Sequence, residues 1–194
     1  MKFRVALLGS FLLAACNTTA YSPDAKALLQ NPLFAELYSE QLVDTMVNLE
    51  IYEDPVLQDE AKKKVASDAK EQWLAVARKA RADQREGLIG QFVPMKEYAE
   101  GEVLYKDDML HFSPPFITTP GPDLHVWIST VVDPRDAEFP DPTAIDVGPM
   151  HVPYGAQTMP VPAVEDPKAY RSVVLWDNAL GRLWGFAQIS PMFE

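Results

Sequence analysis

The sequence predicts an α+β protein in which an N-terminal helical hairpin precedes an antiparallel β-sandwich or barrel. The first observation behind this prediction is a change of composition at Gly87. Between Cys16 and Glu86 there are three prolines and no glycine, whereas eight of the nine glycines and fourteen of the seventeen prolines lie from Gly87 onward. Such a change indicates a passage from helical to turn-rich sequence. The second observation is periodicity, which is helical before Gly87 and typical of short strands after it.

Helix starts are predicted where a capping side chain precedes a proline, at Ser22-Pro23, Asn31-Pro32 and Asp54-Pro55. After Pro55, apolar residues recur at helical spacing over about thirty residues, up to Gly87. The apolar positions of this helix are Leu57, Ala61, Val65, Ala69, Trp73, Val76 and Ala80. Those of the preceding helix are Phe34, Leu37, Tyr38, Leu42, Met46 and Leu49. The two stripes favour a helical hairpin, whose remaining apolar surface must rest on the second part, on a partner or on itself.

The second part contains short apolar segments separated by proline-rich links, a pattern typical of an antiparallel sandwich or barrel. Leu124, Val126 and Ile128 alternate with His125, Trp127 and Ser129, which predicts a strand with two different faces. The continuous apolar run 172–175 predicts a fully buried strand, and Trp176 and Trp184 are expected in the core. The predicted strands are 102–105, 109–112, 124–132, 144–147, 157–161, 171–176 and 183–189.

The N-terminus has the three parts of a secretory signal. Lys2 and Arg4 provide positive charge, the apolar run 5–14 is too short to span a bilayer, and small residues precede Cys16. The run Leu13-Ala14-Ala15-Cys16 resembles the lipobox of bacterial lipoproteins. The resemblance implies that the cysteine thiol receives diacylglycerol, that the acyl chains bind membrane lipid, and that Asn17 directs the chain to the outer rather than the inner membrane. An ordinary cleaved signal with an incidental cysteine is the alternative.

Charge restricts the possible partners. The formal net charge is −11, and removal of Lys2 and Arg4 with the signal would make it −13. A chain without a basic patch cannot neutralise phosphates, so nucleic acid is excluded as an expected partner. Direct docking on anionic lipid is also disfavoured, and we expect attachment through acylated Cys16. An envelope protein is a further possible partner.

The second part resembles the DM-thirteen domain, a family often labelled an electron-transfer domain. The most specific block is 121–129, a Gly-Pro-Asp-Leu sequence followed by an alternating strand. This resemblance implies a β domain over 87–194 and does not cover the helical part. Together with the lipobox-like run, it divides the chain into a signal peptide over 1–15, a lipidated helical segment over 16–86 and the β domain. Other matching blocks are 90–92, 100–103, 110–112, 154–162, 170–176 and 186–189.

The chain departs from this family at one position. DM-thirteen domains commonly carry a cysteine just after the tryptophan of the penultimate strand, and their proposed redox role depends on it. Here that position is Asp177, and the only cysteine in the chain is Cys16. An aspartate forms neither a disulfide nor a thiolate ligand. Electron transfer would therefore require a bound cofactor.

Candidate metal or haem ligands are few. Imidazole and thioether together suit copper or haem iron, and Met109 and His111 are two residues apart on a predicted strand, which places both on one face. His125 is a further weak candidate. No Cys-x-x-Cys-His sequence is present, so covalent haem attachment is excluded. We expect no cofactor, with haem or copper only if the chain transfers electrons. The other histidine and methionines considered are His151, Met150 and Met159.

No enzyme signature is present. The serines Ser129, Ser172 and Ser190 lack a Gly-x-Ser-x-Gly elbow, and adjacent acids such as Asp107-Asp108 point to opposite faces of a strand. An acidic, proline-rich segment could offer oxygen ligands to calcium, but its spacing does not match an EF-hand. Its acids are Asp133, Asp136, Glu138, Asp141 and Asp146. The sequence therefore favours a non-catalytic binding or interaction module in the cell envelope, and the alternative is a cofactor-dependent electron-transfer accessory.

Overall fold

The computed structural model of the chain describes residues 25–192. The predicted signal over 1–15, the lipidation site Cys16, Asn17 and the expected helix start at Ser22-Pro23 lie outside these residues. Among the described helices, none is both long and apolar enough to cross a membrane. The fold is an N-terminal pair of long helices followed by an antiparallel, nearly closed barrel-like sheet, which confirms the predicted α+β class.

The helices are α1 Ala25–Leu28, α2 Pro32–Ile51 and α3 Glu60–Arg85, and α2 and α3 pack against each other as the predicted hairpin. The predicted cap of α2 is confirmed: Oδ1 of Asn31 accepts hydrogen bonds from the amides of Leu33 at 3.0 Å and Phe34 at 3.3 Å. Proline at the first position leaves no amide without a partner there.

The start of α3 differs from the prediction. Asp54 caps only a short 3₁₀ helix, Pro55–Gln58, by accepting from the amide of Val56 at 2.8 Å. The chain then leaves helical geometry, and Asp59 caps α3 through the amides of Ala61 and Lys62. Asp59 is a second capping residue and begins a new helix. The single long helix that periodicity predicts is therefore divided into a 3₁₀ helix and α3.

The buried face of α3 is also rotated from the predicted stripe. Val65 is 69% exposed, whereas its neighbour Ala66 is buried. The buried positions are Ala66, Ala77, Ala80 and Gln84. Three of these four positions are alanines, whose small side chains allow the two helices to pack closely. Large apolar side chains therefore do not mark the buried face of α3.

The main sheet is nine-stranded with the order β7-β6-β9-β10-β1-β3-β4-β8, and β11 pairs with β1. Every pairing in it is antiparallel, and β2 and β5 form a separate two-stranded sheet. The strands are β1 Leu88–Pro94, β2 Ala99–Glu100, β3 Glu102–Lys106, β4 Met109–Phe112, β5 Ile117–Thr118, β6 Leu124–Ser129, β7 Ile145–Pro149, β8 Gln157–Pro160, β9 Ser172–Asp177, β10 Arg182–Gln188 and β11 Ser190–Pro191.

Seven of these strands match the predicted segments closely, but β1 was not predicted. This strand joins the two halves of the sheet, because its first residues pair with β3 and its last residues with β10. Gly90 lies in its middle, where a Cβ atom would come within 2.0 Å of the carbonyl oxygen of Gln188. Glycine is therefore required by close approach of two strands, although in a sequence it reads as a turn signal.

The core lies inside the curved sheet. Phe92, Phe112 and Phe116 form its aromatic centre, with ring centroids 4.8–5.9 Å apart. The predicted fully buried run is confirmed in β9, whose residues 172–175 are all buried, and Trp184 is 5% exposed. Alternation in β6 is likewise confirmed for the inward residues, since Val126 and Ile128 have no exposed surface.

The expectation that Trp176 lies in the core was wrong. Trp176 is only half-buried and points away from the main core, because it alternates with the buried Leu175; its ring lies 5.1 Å from that of Phe139. Ser129 is fully buried, and its hydroxyl donates to Asp141 at 2.6 Å. The acidic segment between β6 and β7 thus covers the outer face of the sheet.

Candidate functional site

The candidate functional site is an apolar groove where the start of the helical hairpin meets the sheet. The groove has a volume of about 400 Å³, and no charged residue lines it. Concave apolar surfaces of this size are the usual places for binding. Its lining residues come from four separate segments and are Leu28, Phe34, Pro114, Val152, Tyr154, Gly155 and Ala156.

Asn31 fixes the helical wall of this groove. Besides capping α2, its side-chain amide donates to the carbonyl oxygen of Phe112 at 2.8 Å and to that of Gln157 at 3.4 Å. These carbonyls belong to the paired strands β4 and β8, and Asn31 is 1% exposed. One buried side chain therefore starts the helix and binds it to the sheet, which places Phe34 at the groove.

The loop wall is held by buried hydrogen bonds. The side-chain amide of Gln157 donates to the carbonyl oxygen of Val152 at 2.7 Å. The amide of Gly155 donates to the carbonyl oxygen of Phe116 at 2.7 Å, and Gly155 has φ of 82°, a conformation that favours glycine. Tyr154 forms a bridge with Ile117 and remains 65% exposed. The loop is thus ordered by its backbone while its aromatic side chain stays open to solvent.

Aromatic contacts continue the groove along α2. The rings of Phe34 and Tyr38 stack with centroids 5.8 Å apart, and Tyr38 lies edge-on to Trp73 of α3 at 5.1 Å. Tyr38 is 42% exposed. Sequence reasoning had placed Phe34 and Tyr38 on a stripe for packing between helices. Tyr154, Val152 and Leu28 were not recognised as groove residues, because no local pattern shows that four separate segments meet.

Asp177, which stands where the family resemblance led us to expect a cysteine, has a structural role. It has no exposed surface, and its Oδ2 accepts from the amide of Asp123 at 3.0 Å while its Oδ1 accepts from the amide of Leu180 at 2.9 Å. A Cβ atom on Gly121 would lie 2.4 Å from Oδ2, so the turn before β6 needs glycine. The carboxylate thus joins this turn to the β9–β10 hairpin.

A smaller pocket of about 210 Å³ opens beside this turn. It is lined mainly by proline and backbone, with Asp123 as its only charged residue. The carboxylate that could have served as a reactive group here, Asp177, is already engaged by two backbone amides.

His111 and Met109, the predicted ligand pair, both lie in β4, two residues apart. His111 is 8% exposed, and its Nδ1 lies 3.1 Å from the hydroxyl of Thr158. Burial, together with the nearby charge of Lys106, lowers the pKa of His111 from 6.5 to about 4. The buried imidazole ring of His111 is therefore neutral, and it is hydrogen-bonded to Thr158 on the neighbouring strand β8.

His125 lies elsewhere and is engaged differently. It belongs to β6, and β9, β10, β1 and β3 separate β6 from β4 along the hydrogen-bonded path. Its Nδ1 lies 2.9 Å from both carboxylate oxygens of Asp146, and its Nε2 lies 3.4 Å from Asp123. The other candidates are dispersed as well: His151 is exposed, Met150 packs partly on the core, and Met159 is buried.

These donors do not converge as a haem or copper site would require. Across residues 25–192, no group of three or more His, Cys, Asp and Glu side chains is arranged to hold a metal ion. The donors that the alternative function would use, His111 and His125, are each hydrogen-bonded within the sheet and lie apart. The residues present therefore do not fit the group that a cofactor-dependent function would need.

The acidic segment does not form a single oxygen-lined site. Asp133 pairs with Arg135, Asp146 with His125, and Asp141 accepts from Ser129 and Thr143. Burial acts to raise the pKa of Asp141, but the hydrogen bonds from Ser129 and Thr143 outweigh it and hold that pKa below its usual value. The carboxylates thus stabilise the segment that covers the sheet. The hydroxyl of Ser172 donates to the backbone of Val131.

Comparisons with known proteins agree with the architecture. The model of the family described as Electron transfer DM13 matches residues 91–189, just over half of the chain. No curated protein and no solved structure matches the chain significantly. The matched segment begins within β1 and ends after β10, so it covers nearly all of the sheet and none of the helical hairpin. The chain therefore belongs to the electron transfer DM13 family.

Proposed function

We propose that the protein is a non-catalytic binding or interaction module, tethered to the cell-envelope membrane through acylated Cys16. The observation that carries the binding function is the apolar groove, which remains open although four segments of the fold converge to form it. Exposed apolar surface of this kind is uncommon on a protein without a binding partner. The lipobox-like run 13–16 supports the tether, and Asn17 favours the outer membrane.

The distribution of polar groups also favours binding over catalysis. Three buried polar side chains of the sheet that sequence reasoning considered for chemistry have partners within the fold: His111 has Thr158, and Ser129 has Asp141. Asp177 accepts from two backbone amides. Groups committed in this way stabilise a scaffold. The groove, by contrast, has unpartnered apolar surface.

The tether is tested by replacing Cys16 with Ser in cells that produce the full chain. Membrane fractionation and metabolic incorporation of an alkyne analogue of palmitate are measured together. We expect the wild-type chain in the membrane fraction with label, and Cys16→Ser unlabelled and released. A Cys16→Ser chain that stays membrane-bound would contradict the tether. His151→Ser, at an exposed position, is the matched control and should behave as wild type.

The binding function is tested separately by changing the groove. One variant carries a photo-crosslinking amino acid at position 154, and crosslinking is carried out in the envelope of cells that produce it. The control variant carries the same amino acid at position 132, where Val132 is 48% exposed. A binding module predicts a discrete adduct, with lipid or with one protein, at position 154 and none at 132. Equal, diffuse labelling at both positions would count against a binding groove.

Electron transfer is the second candidate, and membership of the DM13 family favours it. With Asp177 in place of the family cysteine, a bound cofactor would have to carry the electrons. The test is an absorption spectrum and metal analysis of protein purified from the native envelope. A stoichiometric haem or copper signal, lost in His111→Ala or His125→Ala, would favour this candidate over the binding module. Colourless, metal-free protein would leave it without a carrier.

A further inference from the structure

A continuous apolar surface extends beyond the groove in both directions, and we call it the apolar stripe: Ile117, Tyr154, Leu28, Phe34 and Tyr38. Ile117 bridges Tyr154; Tyr154, Leu28 and Phe34 line the groove; and Phe34 stacks on Tyr38. Tyr154 is 65% exposed, and Ile117 and Tyr38 are each 42% exposed. The stripe therefore runs across the junction between sheet and hairpin without interruption.

One residue of the stripe, Leu28, is close in the sequence to the proposed lipid anchor at Cys16. Leu28 is the last residue of α1, which begins at Ala25, nine residues after Cys16. Nine residues span at most about 30 Å when fully extended. An acylated Cys16 would thus keep the stripe within about one bilayer thickness of the membrane surface.

The chemistry of the stripe suits a bilayer interface. Tyrosine favours the boundary between headgroups and acyl chains, where its apolar ring and its polar hydroxyl are both solvated. Phenylalanine and leucine bury apolar surface at the same boundary. Two carboxylates of α2 near the stripe are paired: Glu36 lies 2.6 Å from Arg81, and Glu40 pairs with the same guanidinium. Arg81 thus offsets one of the two negative charges beside Phe34 and Tyr38.

We propose that the apolar stripe is a membrane-docking surface, which lays the junction of hairpin and sheet on the lipid headgroups once Cys16 is acylated. This inference rests on the proposed tether and names the partner of the groove, which is lipid. Docking would fix the orientation of the molecule, with the junction of hairpin and sheet against the headgroups. Contact area is modest, so docking needs the anchor to hold the protein nearby.

The test uses acylated full-length protein in vesicles of phosphatidylethanolamine and phosphatidylcholine, whose headgroups have no net charge, because the negative charge of the chain disfavours docking on anionic lipid. Tyr154→Cys and Val132→Cys are each labelled with an environment-sensitive fluorophore, because an acylated Cys16 leaves the introduced thiol as the only free one. We expect a blue shift at position 154 and loss of its fluorescence with nitroxide lipids labelled near the headgroup. Val132, apolar and exposed to a similar degree as Ile117, is the control and should show neither.

Three other outcomes are informative. Equal solvent exposure at 154 and 132 in vesicles would overturn the docking surface while leaving the tether intact. A blue shift at 154 without quenching by nitroxide lipids, accompanied by bifunctional cross-linking between copies, would also overturn it, since a second copy would then cover the stripe. Uptake of the label by the wild-type chain would show that Cys16 is not acylated, which refutes the tether and with it the docking surface.

Discussion

The backbone amide of Asp123 donates to Oδ2 of Asp177 at 3.0 Å, and this bond joins the turn before β6 to the end of β9. The amide of Leu180 donates to the other carboxylate oxygen at 2.9 Å. At the position where the family resemblance led us to expect a cysteine, this chain thus has a buried acceptor for two amides, which is part of the scaffold.

Asp177→Ala is therefore expected to destabilise the fold. Two partly buried amide hydrogen bonds would lose their acceptor, and each unsatisfied group costs about 1–3 kcal/mol, so we expect a loss of about 2–6 kcal/mol in the free energy of unfolding. Urea denaturation followed by tryptophan fluorescence measures it. Asn178→Ala is the control, because Asn178 is exposed and its backbone bond to Asp123 does not involve its side chain. Similar stability of both variants would contradict this role of Asp177.

Asn31 supports a prediction about the junction between hairpin and sheet. Asn31→Ala removes the cap of α2 and both hydrogen bonds to the strand carbonyls, and we expect it to cost about 2–3 kcal/mol. Hydrogen exchange should increase in the first turn of α2 and in the 152–157 loop together. Asp59→Ala, which removes the exposed cap of α3, is the comparison and should cost about 1 kcal/mol with effects confined to α3.

A variant with a carboxylate separates the two roles of Asn31. Asn31→Asp keeps an acceptor for the amides of Leu33 and Phe34 but has no donor for the carbonyls of Phe112 and Gln157. If the junction matters, Asn31→Asp should loosen the 152–157 loop as much as Asn31→Ala does. Loss of protection in α2 alone would mean that Asn31 acts only as a helix cap.

His111 predicts a pH dependence of stability. Its pKa is about 4 in the folded chain against 6.5 when solvated, so the unfolded chain binds the proton more tightly. Stability is therefore complete above about pH 6.5 and falls as the pH approaches 4, by a total of about 3 kcal/mol from this group. Urea midpoints between pH 7.5 and pH 4 measure the effect.

His111→Gln isolates the contribution of this ring. Glutamine keeps a polar group near the hydroxyl of Thr158 but does not titrate, so the stability of the variant should fall less steeply with pH between about 6.5 and 4. Carboxylates protonate in both proteins and cancel in the comparison. His151→Gln, at an exposed position, should leave the pH profile unchanged. Parallel profiles for wild type and His111→Gln would contradict a buried neutral His111.

The parts of the fold that sequence reasoning predicted well depend on local chemistry. The bounds of β4, Met109–Phe112, agree residue for residue, and Asn31-Pro32 marks the start of α2 because capping is set within four residues. By contrast, β1 was missed because Gly90 reads as a turn signal in the sequence. In the structure, Gly90 allows β1 to approach Gln188, which lies in β10, far along the chain. Local pattern and tertiary requirement conflict at that residue.

The candidate site was predictable only in part, for the same reason. Phe34 and Tyr38 belong to a helical stripe visible in the sequence, but their neighbour Tyr154 is more than a hundred residues away. The role of Asp177 was equally hidden: its departure from the family pattern was visible, whereas its two amide partners follow from the turn at Gly121. When residues far apart in the sequence are brought together only by the order of the strands, no local sequence pattern predicts their contact.

The burial of position 177 leads to a prediction about the redox label of the family. In a Cys16→Ser background, Asp177→Cys introduces a single thiol at a position that has no exposed surface. We expect this thiol to react with a maleimide about a hundredfold more slowly than the thiol of Leu180→Cys, which lies in the adjacent turn where the native side chain is 55% exposed. Mass spectrometry against time measures both rates.

The comparison must allow for the lower stability of Asp177→Cys, since opening of the fold would also expose its thiol. Measuring the labelling rate at several urea concentrations separates the two routes, because reaction through unfolding rises with denaturant in proportion to the unfolded population. If the thiol at position 177 reacts as fast as that at position 180 without denaturant, the site is accessible and could undergo redox chemistry in relatives that carry cysteine. Slow, urea-dependent labelling would mean that, in this chain, a thiol here is enclosed by the fold and requires local opening before it can exchange electrons with a partner.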